Sequence, residues 1–457
     1  MTTSSRLDTL CAPSSLGWLG IVRLGLVQTA LGAIVVLMTS TVNRVMIVEI
    51  GLPAFVPGLL VAAHYAVQIL RPAWGYGSDV GGRRTPWIVA GMGMLALGGT
   101  GAALATGMIP GHPVLGLGLA AASFLLLGVG AGAAGTSVLA LLATSVAPER
   151  RPGAATTIWV MMILGFAVTA PLAGHFLEPF TPARLVVVTA SVSAIAFVLA
   201  FGAIAGLEAR LARDSATRRV PGSAAHVRFS SALRQVWDDP SARRFTLFIF
   251  ISMLAYSAQE LILDPFAGMV FAMTPGASTK LAGVQHGGVL VGMLAVGGIG
   301  TCLRGPRYAS PRAWTAGGCV ASALALAALA LGGVVGPTFP IRVAVFVLGF
   351  CNGVFAVSAI GTMMELAGAG DGARAGTRMG LWGAAQAIAF AIGGFAGTLG
   401  VDVARRLTDV PARAYGAVFL AEALLFLASA ALATSIGLGL ARRRISEAGD
   451  RPVTAGI

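Results

Sequence analysis

Four ionisable side chains stand inside long apolar segments, where an unpaired charge would be costly. Arg44 and Glu49 lie near the end of the first segment, and Glu260 and Asp264 lie near the end of the seventh. If these two segments form membrane helices that face each other, opposite charges at the same depth attract each other. The spacing therefore predicts an ion pair between Arg44 and Glu260 or Asp264, with Glu49 beside it. The alternative is that each group only reaches water at the membrane surface.

A second cluster of chemically informative residues lies between the second and third apolar segments. It comprises Gly75, Asp79, Gly82, Arg83 and Arg84, and it resembles the cytoplasmic loop signature of the major facilitator superfamily. We expect the aspartate to accept hydrogen bonds from a neighbouring helix N-terminus, and the arginines to keep the loop on the cytoplasmic side. The glycines allow a sharp turn between closely packed helices.

The elements that position these residues must be membrane helices. The chain has 457 residues, of which 11% are charged, against about 25% in soluble domains. Its mean hydropathy is +0.84. The net charge of +13 comes from arginines in short loops, so it indicates membrane topology rather than nucleic-acid binding. The four cysteines are scattered and show neither a disulfide framework nor a metal-binding spacing.

The pattern predicts an all-α membrane protein with twelve transmembrane helices in the major facilitator fold, as two pseudo-symmetric bundles of six. The predicted spans are 23–47, 54–75, 86–109, 113–146, 153–177, 183–208, 244–272, 279–303, 313–336, 340–367, 376–402 and 412–441. The corresponding divisions are an N-terminal cytoplasmic or interfacial segment 1–22, a bundle 23–208, a basic cytoplasmic linker 209–243, a bundle 244–441 and a cytoplasmic tail 442–457.

The distribution of arginines predicts the orientation. Loops on one side, including the linker, hold most of them, so the positive-inside rule places both termini in the cytoplasm. The stretch from Leu16 to Arg23 either forms a short interfacial helix or begins the first span.

Three sequence segments indicate which family within the superfamily the chain resembles. They run from Val42 to Pro53, from Gln259 to Gly268 and from Arg378 to Ala387, and together they resemble the PucC/LhaA family of the superfamily. The resemblance implies a bacteriochlorophyll-delivery protein of phototrophic bacteria that acts in assembling light-harvesting complexes. The implied partners are the lipid bilayer, antenna polypeptides and bacteriochlorophyll or a late precursor, held without a covalent bond. The implied location is the bacterial inner, intracytoplasmic membrane.

Several residues are candidates for pigment binding. A neutral imidazole in an apolar site could ligate the magnesium of a chlorin ring, and aromatic side chains could flank the ring. For each candidate the alternative is ordinary packing or an interhelical hydrogen bond. The candidates are His64, Gln68, Trp159, Phe166, Trp382 and Gln386.

A different function remains open, that of a proton-coupled secondary transporter or exporter of a small, mostly apolar solute. The segment 170–174 partly resembles an antiporter motif, which supports it. The fourth span carries no charge from 124 to 143, which favours an apolar cargo or partner. Walker loops, dinucleotide fingerprints and nucleophile elbows are not found in the sequence, so we predict that the protein is not an enzyme.

Overall fold

The structure is a computed structural model of the full chain. It describes residues 16–71, 74, 83–147, 150–208, 240–302, 311–368 and 375–449. The predicted loop residues Gly75, Asp79 and Gly82, and most of the linker, lie outside the described residues.

The described chain folds into helices, which confirms the predicted all-α class. We number them α1 Trp18–Glu49, α2 Phe55–Leu70, α3 Thr85–Met108, α4 Pro113–Ser145, α5 Arg151–Phe176, α6 Pro182–Ile204, α7 Pro240–Phe271, α8 Pro275–Cys302, α9 Pro311–Val335, α10 Ile341–Gly368, α11 Ala375–Leu407 and α12 Pro411–Gly449. Within the described residues, eleven are long and apolar enough to cross a membrane, and α2 is shorter.

Proline marks the start of many of these helices. Pro113, Pro182 and Pro411 each occupy the first helical position, where a missing N–H costs nothing and the fixed φ suits a helix. The Thr181 hydroxyl accepts a hydrogen bond from the Arg184 amide at 3.1 Å and caps α6. Local sequence therefore sets the helix starts that follow the short distal loops.

The two halves repeat the same packing. In the first bundle α1 packs on α5 and α6, α3 on α4 and α6, and α2 on α4. In the second bundle α7 packs on α11 and α12, α9 on α10 and α12, and α8 on α10. Between the bundles α5 packs on α8 and α2 on α11. This repeated arrangement confirms two pseudo-symmetric bundles of six helices.

The helices alternate in direction, so their ends gather at two sides. We call the side with the start of α1 and the 208–240 connection the linker side, and the opposite side the distal side. Residues 49–55, 176–182, 271–275 and 407–411 all connect helices on the distal side.

The first helix carries an irregular distal half. It begins at Trp18, so residues 18–22 belong to it rather than to a separate interfacial segment, and it is π-helical over Leu37–Val42 and Val45–Glu49. The π-helix is rare and is often found at functional sites. Here it presents the polar residues of α1 to the second bundle.

Candidate functional site

Arg44 is the central side chain of the contacts on the distal side. It is only 2% exposed, and its Nη1 donates to Glu49 Oε1 at 2.6 Å. Its Nη2 donates to the carbonyl of Met273, in the loop between α7 and α8. A Cβ on Gly268 of α7 would lie 3.0 Å from the guanidinium, so the absence of a side chain there admits Arg44.

The predicted ion pair between Arg44 and a carboxylate of α7 was wrong. Among the described residues, no ion pair within 4 Å joins Arg44 to Glu260 or Asp264, and its carboxylate partner is Glu49. The physical reason is the π-helix, because i to i+5 pairing brings residues five apart onto one face. The contact of Arg44 between the bundles is its hydrogen bond to the carbonyl of Met273.

Two further hydrogen bonds join α1 to the second bundle. The hydroxyls of Thr41 and Thr279 are 2.9 Å apart, and Asn43 Nδ2 donates to the carbonyl of Leu261 at 2.7 Å. Thr41, Asn43, Leu261 and Thr279 are buried, whereas Met273, the loop partner of Arg44, is half-buried. Together with Arg44 and Met273, they form what we call the distal interface.

An ion pair between the bundles lies near the distal surface. Lys280 Nζ of α8 donates to Glu178 Oε2 at 2.9 Å, and the Thr274 hydroxyl donates to Glu178 Oε1 at 3.2 Å. The hydrogen bond from Lys280 lowers the pKa of Glu178 below its ordinary value. Sequence reasoning missed this pair, although opposite charges at distal span ends could have indicated it.

A carboxylate of the second bundle caps a helix of the first. Asp402, near the distal end of α11, accepts hydrogen bonds from the amides of Ala54 at 3.0 Å and Phe55 at 2.7 Å. These amides open α2, where a negative charge is favourable. Asp402 could not be identified from the sequence, because its partners are backbone amides.

The two α7 carboxylates lie beside the distal interface, one on each side of Leu261 along the helix. Asp264 is 2% exposed, and its Oδ1 has no hydrogen-bond partner. Ser40 and Arg44 of α1 are close enough to act on its charge. Glu260, one turn away, is half-buried and lies beside Thr39.

Aromatic residues cluster near Glu260 at the junction of the bundles. The rings of Tyr65 and Phe390 are 5.0 Å apart, and those of Tyr256 and Phe390 are 5.9 Å apart, so they link α2, α11 and α7. Each of these side chains is half-buried although it lies within a helix at the junction of the bundles. Gln386 Nε2 contacts Met253 Sδ at 3.8 Å in the same region. We use the name central chamber for this cluster of side chains at the junction of the bundles, which comprises Tyr65, Tyr256, Glu260, Gln386 and Phe390.

His64 and Gln68 do come together, but inside the first bundle. Gln68 Nε2 lies 3.0 Å from His64 Nε2, and Arg71 donates to Gln68 Oε1. The imidazole also lies close to the backbone of Phe124 in α4. A small cavity lies next to it, lined by Val35, Met38, Thr39, Val61, His64, Phe124 and Leu127. Coordination of a metal by His64 would require Gln68 to move away.

The other pigment candidates occupy three separate places. Phe166 of α5 packs against Gly32 of α1 and edge-on to His286 of α8, at 4.8 Å between ring centroids. Trp159 is half-buried on α5. Trp382 is buried within the second bundle, 4.9 Å from Phe245. Only Gln386 of the six belongs to the central chamber.

On the linker side, the N-terminus of α3 has a carboxylate partner. Glu208 accepts hydrogen bonds from the amides of Arg84 at 2.7 Å and Thr85 at 2.9 Å. Partial burial raises the pKa of Glu208, but the bonds from Thr85 and Arg84 outweigh it and keep the pKa below its ordinary value. Arg84 Nη1 donates to the carbonyl of Ala140 at 2.8 Å, which ties α3 to α4. Arg83 is exposed.

Comparison with known proteins adds three findings. The family model described as PUCC protein matches residues 41–439. The chain is 50% identical to the "Bacteriochlorophyll synthase 44.5 kDa chain" of Rhodobacter capsulatus over 92% of this chain and 96% of that protein. It is 31% identical to "Protein PucC" of Rhodovulum sulfidophilum over 80% of this chain and 81% of that protein.

Solved structures resemble the chain in fold. A crystal structure of the peptide transporter POT in complex with alafosfalin superposes with a TM-score of 0.63 at 14% identity, covering 95% of this chain and 99% of that one. The likeness confirms the transporter-type fold of two six-helix bundles.

Proposed function

Because this chain belongs to the PucC family, we propose that it is an integral-membrane assembly factor for photosynthetic light-harvesting complexes. In this role it handles bacteriochlorophyll or a late precursor while antenna polypeptides are assembled. The observation that carries the proposal is the 50% identity, over 92% of the chain, to a relative named for bacteriochlorophyll synthesis.

The central chamber supports an apolar, ring-shaped cargo. The rings of Tyr65, Tyr256 and Phe390 come from three helices and offer faces against which a flat macrocycle can stack. Their half-buried state fits a surface that exchanges contacts between the rings for contacts to a ligand. His64 fits the role of magnesium ligand less well, because Gln68 already hydrogen-bonds to its ring. Gln386, at the edge of the chamber, could hydrogen-bond to polar groups at the ring periphery.

The proposal includes a location and an orientation. Arg83, Arg84, Arg150 and Arg151 all stand at linker-side ends of helices in the first bundle. Since cytoplasmic loops carry an excess of arginine, the linker side faces the cytoplasm in the photosynthetic inner membrane. The chamber then receives pigment on the side where a cytoplasmic synthetic enzyme would release it. Antenna polypeptides are the proposed recipients.

Two other functions have specific support. The name of the relative from Rhodobacter capsulatus favours a subunit of a pigment-synthesising enzyme. The likeness to a peptide transporter favours a secondary transporter, although at 14% identity it speaks only for the fold. A non-enzymatic assembly factor accounts for both, because it needs the transporter-like fold and acts next to the synthetic enzymes.

Deletion of the gene in its phototrophic host tests the function. We expect lower amounts of antenna complexes while extracts still complete pigment synthesis. Normal antenna levels in the deletion strain would refute the assembly role. Loss of the last synthetic step in extracts, restored by the purified protein, would instead establish the enzyme subunit.

Chamber variants test the proposed pigment site. Gentle purification of the tagged protein should yield bacteriochlorophyll absorption, which Tyr65→Ala and Phe390→Ala should reduce several-fold. Phe201→Ala is the matched control, because Phe201 is an exposed aromatic residue of α6 away from the chamber. Equal pigment content in all three variants would place pigment elsewhere.

A further inference from the structure

The interface between α1 and α7 contains buried oxygen atoms that have no hydrogen-bond partner within 3.5 Å. They are Ser40 Oγ and Asn43 Oδ1 of α1 and Asp264 Oδ1 of α7. Ser40 is 4% exposed, Asn43 is 0% exposed and Asp264 is 2% exposed. Buried polar atoms without partners are uncommon in folded proteins, and each one calls for an explanation.

These oxygen atoms lie in one place. Asn43 Nδ2 donates to the carbonyl of Leu261, so its amide group is held against the turn of α7 that separates Glu260 from Asp264. Ser40 lies three residues before Asn43 and close enough to Asp264 to act on its charge. Glu260 adds a second carboxylate on the same face of α7, because residues four apart on a helix are neighbours.

The charges of this region do not balance. Arg44 acts on Asp264, but it is already bonded to Glu49 and to the carbonyl of Met273. Tyr256 and Tyr65, which lie near Glu260, carry no charge in their protonated form. On α8, Lys280 is engaged by Glu178. Among the described residues, the two α7 carboxylates therefore exceed the positive charge close to them, which is costly in a buried site.

We propose that Asp264, Ser40, Asn43 and Glu260 form a binding site for a small monovalent metal cation of the sodium class. Carboxylate, hydroxyl and amide oxygens are the ligands that hard cations prefer. The π-helical part of α1 supplies one of the four ligands, Ser40, and Asn43 follows directly after it. With one fully buried carboxylate and a guanidinium nearby, a single positive charge suits the site better than a double one.

The position of the site gives it a consequence for conformation. Its ligands come from both bundles and lie next to the distal interface, so a bound cation holds α1 against α7. Binding is therefore expected to stabilise the protein with its distal side closed, and separation of the bundles there is expected to release the cation.

Thermal unfolding of the full-length protein in detergent at pH 8 tests the site. Sodium chloride should raise Tm in a saturable way by about 3 °C over choline chloride at equal ionic strength. Ser40→Ala should raise the half-saturating sodium concentration about 10-fold, and Asp264→Asn should abolish the response. Ser137→Ala is the matched control, since Ser137 Oγ is also buried without a partner but lies on α4.

Three results would overturn the proposal. They are equal Tm in sodium and choline, a sodium response that Ser40→Ala leaves unchanged, and stabilisation by acid alone with no dependence on sodium. The last result would show that the carboxylates hold a proton instead. Ser40→Ala keeps the test decisive if Asp264→Asn fails to fold, because it removes only one hydroxyl.

Discussion

The distal interface and the central chamber are neighbouring parts of one junction, and they are built from different interactions. In the distal interface, Arg44, Asn43 and Thr41 make directional hydrogen bonds to specific atoms of the second bundle. In the chamber, Tyr65 and Phe390 meet through ring contacts and stay half-buried. Directional bonds between buried groups fix one geometry, whereas aromatic faces accept different partners. The distal interface therefore defines how the bundles meet, and the chamber suits the cargo exchange that we propose.

The largest effect should come from Arg44→Ala. The change removes the bond to Met273 and leaves Glu49 and the buried Asp264 without their cation, at a cost of about 3 kcal/mol. Thermal unfolding in detergent should show a clear loss of Tm relative to wild type. Arg44→Lys should recover only part of the loss, because an ammonium group cannot make the same forked contacts.

A double-mutant cycle sharpens this comparison. The coupling free energy between Arg44→Ala and a second change should be largest for Glu49→Gln, because these two side chains form an ion pair. It should be smaller for Asp264→Asn, whose charge Arg44 acts on without an ion pair, and smallest for Glu260→Gln. A coupling to Glu260 larger than that to Glu49 would contradict the described pairing.

Two capping carboxylates form a matched pair for the next prediction. Asp402 caps α2 across the junction, whereas Glu208 caps α3 within the first bundle. Asp402→Asn and Glu208→Gln should each destabilise the protein by about 1 kcal/mol. Only Asp402→Asn should weaken distal contact between the bundles, as measured by the yield of a disulfide between Thr41→Cys and Thr279→Cys. Equal yields in both variants would show that Asp402 acts locally.

The fold could be predicted well from the sequence, because the length and hydropathy of apolar segments identify membrane helices. Twelve spans and their pairing into two bundles follow from apolar runs and a basic linker. The partners of charged residues could not be predicted, since they depend on side-chain geometry. Arg44 illustrates this, because the π-helix that brings Glu49 beside it has no clear sequence signal.

Two contacts between the bundles were not predicted from the sequence, for a different reason. Glu178 with Lys280 and Asp402 with the start of α2 join parts of the chain far apart in sequence. Residue type alone gives no reason to connect Asp402 with the start of α2. For Asp402 the partner is an amide, and every residue but proline carries one. Opposite charges at span ends on the same side are the one signal that could have indicated Glu178 and Lys280.

The smallest effect should come from Glu178→Gln. The pair with Lys280 is partly exposed, so solvent screens it and the loss in Tm should be slight. Because the pKa of Glu178 is lowered in the folded protein, its contribution is present above the ordinary glutamate pKa and is lost as pH falls below it. The Tm difference between wild type and Glu178→Gln should therefore vanish in acid. A difference that persists there would mean that the side chain acts through packing.

One measurement tests the account most directly, namely the pigment content of a protein locked at its distal interface. The hydroxyls of Thr41 and Thr279 are 2.9 Å apart, so cysteines placed there in a cysteine-free background should form a disulfide on oxidation. If the chamber is loaded from the linker side, the oxidised and reduced proteins should carry equal bacteriochlorophyll per molecule after purification from phototrophic cells. Loss of pigment on oxidation that is regained on reduction would contradict the account, because it would mean that cargo passes through the distal side.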